Sequence, residues 1–216
     1  SEVRNDKISG LNVTIPYKKI VIPYLDELSL EAKESQSVNT ISKKNDKIIG
    51  HNTDISGFEL AIRSINFDTK NKKIFILGAG GVVSSIIIAL KRLNVSKITL
   101  SNRTLEKAEN IRDSFPNIQI VKWGEVPDFD MIINATSLGL KGLGELEFDN
   151  LKVGPNKFFY DIIYNPTKTK FLRNAVLNGN RTENGKMMFI YQAHQAFALW
   201  NKKIPKIDKE VIKLLD

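Results

Sequence analysis

The sequence predicts an α/β fold: a doubly wound parallel sheet, with a smaller α/β part built from the two ends of the chain. Three observations predict it. The first is Lys73-Ile-Phe-Ile-Leu-Gly-Ala-Gly-Gly-Val82, an apolar strand running into a glycine turn and then an apolar helix. The second is the alternation of strand and helix patterns that continues from there, which implies parallel pairing with crossover helices. The third is the segment before residue 55. It has a different pattern and too little apolar material to fold alone, so it must pack on something, and the final helices are the candidates.

The elements follow in order. Leu11 to Ile15 reads as a strand stopped by Pro16, and a helical stretch is expected from Tyr17 towards Leu28, interrupted at Pro23. Val38 to Ser42 and Lys47 to Gly50 read as two strands joined by the Lys-Lys-Asn-Asp turn. Phe58, Ala61, Ile62 and Ile65 have helical spacing. Strands are then expected at 73–77, 97–101, 118–121, 130–134 and 158–162, and helices at 81–93, 104–115 and 168–177. Met187 to Trp200 reads as a long helix and Lys209 to Leu215 as a short one. The expected domains are 1–54 with 187–216, and 55–186.

The glycine turn has a chemical reading. Gly78 permits the tight turn, and Gly80 has no side chain to block a pyrophosphate approaching the backbone. The N–H groups of Gly80, Gly81, Val82 and Val83 open the helix towards that charge. The third position of the pattern is Val83 rather than glycine, and a glycine turn in an ordinary α/β protein is the plain alternative. The flanking strand and helix favour a Rossmann-type dinucleotide site. The second strand ends in Asn102-Arg103-Thr104, with Lys107 one turn on. Two cations and no acid suit a 2′-phosphate, so the cofactor expected is NADP.

Composition sets bounds. Hydrophobic residues at 42% and charged residues at 26% are those of a globular protein. No apolar run reaches ~18 residues, so no transmembrane helix is expected. The chain has no cysteine, which removes disulfides, Cys-zinc sites and a thiol nucleophile, and suits a reducing cytoplasm. His51 and His194 lack metal-ligand spacing, and no metal is expected. The net charge is +8, but the lysines are scattered and no basic stripe carries interleaved aromatics. The reading is therefore a solvated surface without nucleic-acid or membrane binding. Its field would still draw in anionic small molecules. A monomer or homodimer is expected.

Two polar clusters precede the glycine turn: Asn12-Val-Thr-Ile-Pro-Tyr-Lys18 and Gly50-His-Asn-Thr-Asp54. A lysine and an aspartate at element ends can form a proton-transfer pair, the carboxylate orienting the ammonium. Taken singly, Asp54 reads equally as a helix N-cap and Lys18 as one more surface lysine.

With these clusters in view the chain resembles the shikimate dehydrogenases over nearly its whole length. The resemblance is carried by Gly10 to Lys18, Ser37-Val-Asn-Thr40, Gly50 to Asp54, Gly78-Ala-Gly-Gly81, Asn102-Arg-Thr104 and Asn134-Ala-Thr-Ser137. It continues through Tyr160-Asp161 with Tyr164-Asn-Pro166, and Met188 to Phe197. It implies NADP-dependent, reversible reduction of 3-dehydroshikimate to shikimate in aromatic amino-acid biosynthesis. Lys18 and Asp54 would then lie at the reacting substrate oxygen. Thr14, Asn39 and Gln192 would bond the ring hydroxyls, with Tyr164 also lining the pocket. Gly78, Ala79, Gly80, Gly81 and Val82 would hold the pyrophosphate. Asn102, Arg103, Thr104 and Lys107 would hold the adenosine phosphate. Thr136, Ser137, the Ile162 backbone and Gly185 would meet the nicotinamide. The domains become a substrate-binding part, 1–54 with 187–216, and an NADP-binding part, 55–186. A broader quinate/shikimate dehydrogenase and a non-catalytic dinucleotide or metabolite sensor are the alternatives.

Two departures from the family pattern stand out. Met187 occupies a place where a second glycine is common. The family also opens with a strand-helix-strand segment whose Ser-x-Ser pair binds the substrate carboxylate, whereas this sequence starts at Ser1. The expectation is an excerpt of a longer gene product that binds NADPH but holds shikimate weakly.

Overall fold

A computed structural model of the chain describes residues 2–148 and 153–215. Ser1, Asp216 and residues 149–152, which the expected domain spans include, lie outside the described residues. The chain divides into two compact units, Ser1–Asn66 with Ser84–Leu90 and Met187–Leu214, and Phe67–Val83 with Lys91–Lys186 and Leu215–Asp216.

The first unit holds a four-stranded mixed sheet. Its strands are β1 (Gly10–Asn12), β2 (Glu27–Leu28), β3 (Thr40–Lys44) and β4 (Lys47–His51), in the order β1-β3-β4-β2. The β3–β4 hairpin forms where the Lys-Lys-Asn-Asp turn predicted it. Asn45 and Asp46 both take positive φ, 50° and 60°, which is the two-residue turn whose twist suits a hairpin. Four helices complete the unit: α1 (Leu30–Ser35), α2 (Asp54–Ser64), α6 (Lys186–Asn201) and α7 (Lys209–Lys213). Val13, Ala32, Val38, Ile41 and Ile48 form its core under the sheet. Trp200 of α6 seals one end by donating its indole N–H to the Ile41 carbonyl at 2.9 Å.

The expected helix from Tyr17 towards Leu28 does not form. The chain makes turns to Val21, a single 3-10 turn at Ile22–Tyr24, and then extends into β2. Pro23 offers no N–H to continue a helix. The competing pairing is stronger: Asp26 N–H donates to Ile48 and Ser29 N–H to Gly50, both at 2.9 Å, as β2 adds to β4 in parallel. The first strand also stops at Asn12, short of the expected Ile15. Helix α1 was not foreseen. Ser29 caps it by accepting from Ala32 N–H, and Gln36 closes it in the left-handed conformation.

The second unit holds a six-stranded sheet in which every pairing is parallel. Its strands are β5 (Lys73–Leu77), β6 (Lys97–Ser101), β7 (Gln119–Ile120), β8 (Met131–Asn134), β9 (Phe158–Asp161) and β10 (Arg181–Glu183). Their order, β10-β9-β8-β5-β6-β7, starts at the centre and winds outward in both directions. The central strands β5 and β8 are near-continuous apolar runs because both faces are covered; Ile74, Phe75, Ile76 and Leu77 are all buried, as are Met131, Ile132 and Ile133. Helices α4 (Leu105–Ser114) and α5 (Lys170–Leu177) belong to this unit, whereas α3 (Val83–Arg92) is shared, its middle grouping with the first unit. Helix α3 carries buried apolar residues all round, from Val83 to Leu90, as a fully enclosed helix must. Phe75, Phe129, Phe159 and Phe171 pack as tilted and edge-on rings, and each such side chain contributes about 1.5–3 kcal/mol by leaving water. Strand β10 was not foreseen.

The register places the functional edge. Leu77 pairs with Ser101 and with Asn134, and Asn134 pairs with Asp161. The residues that leave these four strands, Gly78, Asn102, Ala135 and Ile162, therefore emerge along one carboxyl edge. The strand order reverses there between β5 and β8, the place where open sheets of this kind bind ligands.

Candidate active site

In the first unit a lysine and an aspartate far apart in sequence meet. Lys18 Nζ donates to Asp54 Oδ2 at 2.6 Å, with both side chains largely enclosed. Local structure explains the meeting. Tyr17 N–H bonds the Thr14 carbonyl, turning the chain after β1, and the Lys18 carbonyl accepts from Val38 N–H at 2.8 Å. That bond brings Lys18 beside the residue preceding Asn39. Asp54 opens α2, where the helix N-terminus favours a carboxylate.

Asn39 connects the pair to the rest of the cluster. Its Nδ2 donates to Asp54 Oδ1 and Thr53 Oγ1, each at 2.9 Å, and approaches Gln192 Oε1 at 3.4 Å. Its Oδ1 accepts from Thr53 N–H at 2.8 Å. Asp54 thus receives the ammonium on one oxygen and an amide on the other, an arrangement suited to its ionised form. Gln192 reaches this cluster because α2 and α6 approach closely at Gly57. A Cβ there would stand 2.9 Å from Gln192 Cβ and 3.0 Å from its backbone nitrogen. Gly57 stands inside a helical pattern, where a glycine signals such a close contact.

Lys18, Asn39, Asp54 and Gln192 are therefore brought together. Thr14 lies in the same turn as Lys18 and is exposed, while Tyr164 belongs to the second unit and is half-buried.

The carboxyl edge of the second unit carries the glycine turn. Gly78 has φ +106°, and a Cβ on it would stand 2.8 Å from the Ala135 carbonyl oxygen, so only glycine fits. Beyond it the turn is open. A Cβ on Gly80 would meet nothing nearer than 3.8 Å, and one on Gly81 nothing within 4 Å. That space in front of the backbone fits a pyrophosphate. Asn102 spends its side chain on the scaffold, accepting from Ala79 N–H at 3.1 Å and donating to the Thr104 carbonyl at 2.8 Å. It ties the turn to the end of β6, which leaves Arg103, Thr104 and Lys107 exposed beside it. These residues fit a phosphorylated dinucleotide.

A buried polar knot holds the other half of the edge. Asp161 Oδ2 accepts from Thr169 Oγ1 at 2.7 Å, and its Oδ1 accepts from Asn134 Nδ2 and Ile163 N–H, both at 3.0 Å. Thr136 donates to Asn134 Oδ1 at 2.7 Å and accepts from Leu138 N–H at 3.1 Å. Burial pushes the Asp161 carboxyl up to about 6, against the pull of its three donors. Ile162 leaves the knot with its carbonyl against Gly185; a Cβ on Gly185 would fall 2.0 Å from that oxygen. Thr136 and Ile162 are half-buried and Ser137 is exposed. Asn134 and Asp161 stand in the motifs that carry the resemblance, but their bond to each other and the bond from Thr169 join separate elements, which no local pattern announces.

The strand order and the glycine turn define a dinucleotide-binding protein of the Rossmann type. Comparison with known proteins narrows this. A family model described as the shikimate dehydrogenase substrate binding domain matches residues 1–41, and one described as shikimate / quinate 5-dehydrogenase matches residues 59–163. The NADP(+) shikimate dehydrogenase of Pelagibacter ubique is 59% identical over 99% of this chain and 81% of its own. Among solved structures, a shikimate dehydrogenase in complex with NADP+ is 34% identical with a TM-score of 0.90, covering 99% of this chain and 77% of that one. The Thermus thermophilus shikimate 5-dehydrogenase in complex with NADP(H) and shikimate is 28% identical with a TM-score of 0.88, covering 99% and 80%. The chain belongs to the shikimate dehydrogenase family.

Proposed function

We propose that this protein reduces 3-dehydroshikimate to shikimate with NADPH, reversibly, as an oxidoreductase acting on a CH–OH group. The observation that carries the reading is the Lys18–Asp54 pair at 2.6 Å, held by Asn39, in a chain of this family. When bound, NADPH supplies the hydride that goes to the carbonyl carbon. Lys18 Nζ supplies the proton to the carbonyl oxygen. Asp54 Oδ2 keeps that ammonium directed, so the proton is offered from a fixed position. In the reverse direction Lys18 takes the hydroxyl proton back. Thr14, Asn39 and Gln192 hold the ring hydroxyls, and Tyr164 lines the substrate pocket.

Substrate binding is assigned to 1–54 with 187–216, and NADP binding to 55–186. Gly78, Ala79, Gly80, Gly81 and Val82 accommodate the pyrophosphate. Arg103, assisted by Lys107, reads the 2′-phosphate, and Asn102 and Thr104 complete the adenosine-phosphate site. Thr136, Ser137, the Ile162 backbone and Gly185 receive the nicotinamide. The reading includes a cytoplasmic enzyme working as a monomer or homodimer. Among the described residues no helix is long and apolar enough to cross a membrane. The test is direct: the purified full-length gene product mixed with NADPH and 3-dehydroshikimate should consume NADPH and yield shikimate in equal amounts. Consumption without shikimate, or no consumption, contradicts the reading.

A further inference from the structure

Asn52 touches neither of the two charged atoms of the Lys18–Asp54 pair, yet it is buried and fully engaged. Its Oδ1 accepts from Asp54 N–H at 3.0 Å and from Ile55 N–H at 3.3 Å. Its Nδ2 donates to Ser35 Oγ at 2.9 Å, to the Ser37 carbonyl at 3.0 Å and to Ser85 Oγ at 2.9 Å. The amide can sit only one way round. A flip would set its oxygen against the Ser37 carbonyl and its NH₂ against two N–H groups. One side chain therefore joins the end of α1, the first turn of α3 and the start of α2.

Thr53, which precedes α2, makes no side-chain cap of its own. Its N–H goes to Asn39 Oδ1, and the next two go to Asn52 Oδ1. The opening amides of α2 are thus held by two buried asparagines. Asn39 also holds the Asp54 carboxylate, whereas Asn52 holds only the backbone from which that carboxylate projects. We infer that Asn52 is a positioning residue for the proton transfer: it fixes the Asp54 main chain so that Oδ2 meets Lys18 Nζ.

This inference rests on the function proposed above. A displacement of about 1 Å in such an arrangement costs about 10²-fold in rate. Asn52→Ala should lower kcat by about 10- to 100-fold, with the KM for NADPH within about twofold of the parent. A residue that merely supports the fold would lower kcat whatever stands at position 54. The decisive comparison is therefore epistatic. In an Asp54→Asn background, Asn52→Ala should cause no further loss of kcat, because the group it positions is already gone. The same size of loss in both backgrounds, or a kcat for Asn52→Ala within about twofold of the parent, overturns the inference. Should Asn52→Ala melt below the assay temperature, Asn52→Ser is read the same way. It keeps a capping oxygen and lacks the amide that reaches Ser35, Ser37 and Ser85. An Asp54→Asn variant as active as the parent would instead overturn the proposed function.

Discussion

Arg103 and Lys107 stand exposed beside the glycine turn, and no acid follows Ser101 until Glu106. A hydrogen bond to a charged phosphate is worth about 1.5–3 kcal/mol. Arg103→Ala should therefore weaken NADPH by about one to two orders of magnitude and leave NADH nearly unchanged, as read by fluorescence titration with each nucleotide. Equal losses would mean that Arg103 supports the fold of the edge. The placing of these cations beside the turn was legible because it rests on residue type at a fixed distance from a glycine turn. Asn102 was legible only in part. It falls at the expected place, but its amide links Ala79 to Thr104, a use that no local pattern announces. The Lys18–Asp54 pair was suggested by two element ends and left open by the residues alone, because the contact joins positions 36 apart. Asn39 to Gln192, 153 apart, was further beyond local reading.

Among the elements, those with a strong internal period were read within a residue or two. The central parallel strands β5 and β8 are near-unbroken apolar runs, and α4 and α5 have polar and apolar sides. What failed was the stretch from Tyr17 to Leu28. Its outcome depends on hydrogen bonds to Ile48 and Gly50, more than twenty residues away. Strand β10 and helix α1 are short and polar enough to look like loop. The packing of α2 on α6 yields a prediction at this scale. Gly57→Ala puts a methyl 2.9 Å from Gln192 Cβ and 3.1 Å from the Met188 carbonyl oxygen. The helices must separate by a few tenths of an ångström, which draws Gln192 away from Asn39. Crowding of this kind costs about 1–3 kcal/mol. The KM for shikimate should rise several-fold and the melting temperature should fall, with NADPH affinity unaffected. An unchanged KM would show that α6 does not set the site through this contact.

For the molecule as a whole, the Asp161 knot links stability to pH. The folded carboxyl lies at about 6 against 3.8 when unfolded, so the folded state binds the proton more tightly. Its contribution is fully present below pH 3.8, declines between 3.8 and about 6, and is lost above that. The sign is opposite to that of a salt-bridged carboxylate such as Asp128, which Lys73 holds below the usual range. The span corresponds to about 3 kcal/mol at most. Urea unfolding at pH 5 and pH 7.5 should show Asp161→Asn losing much of the stability difference that the parent shows between these two values. An Asp161→Asn variant with the parent's pH dependence would mean that Asp161 does not titrate in this window.

The proton role of Lys18 is tested most directly by Lys18→Ala, with kcat and NADPH affinity measured on the same preparation. A positioned acid or base contributes about 10²–10⁴-fold, so kcat should fall by that factor. NADPH affinity should stay within about twofold, because Lys18 belongs to the first unit and the glycine turn to the second. A fall in kcat of less than about threefold would contradict the account, since a proton-transfer group contributes far more than that.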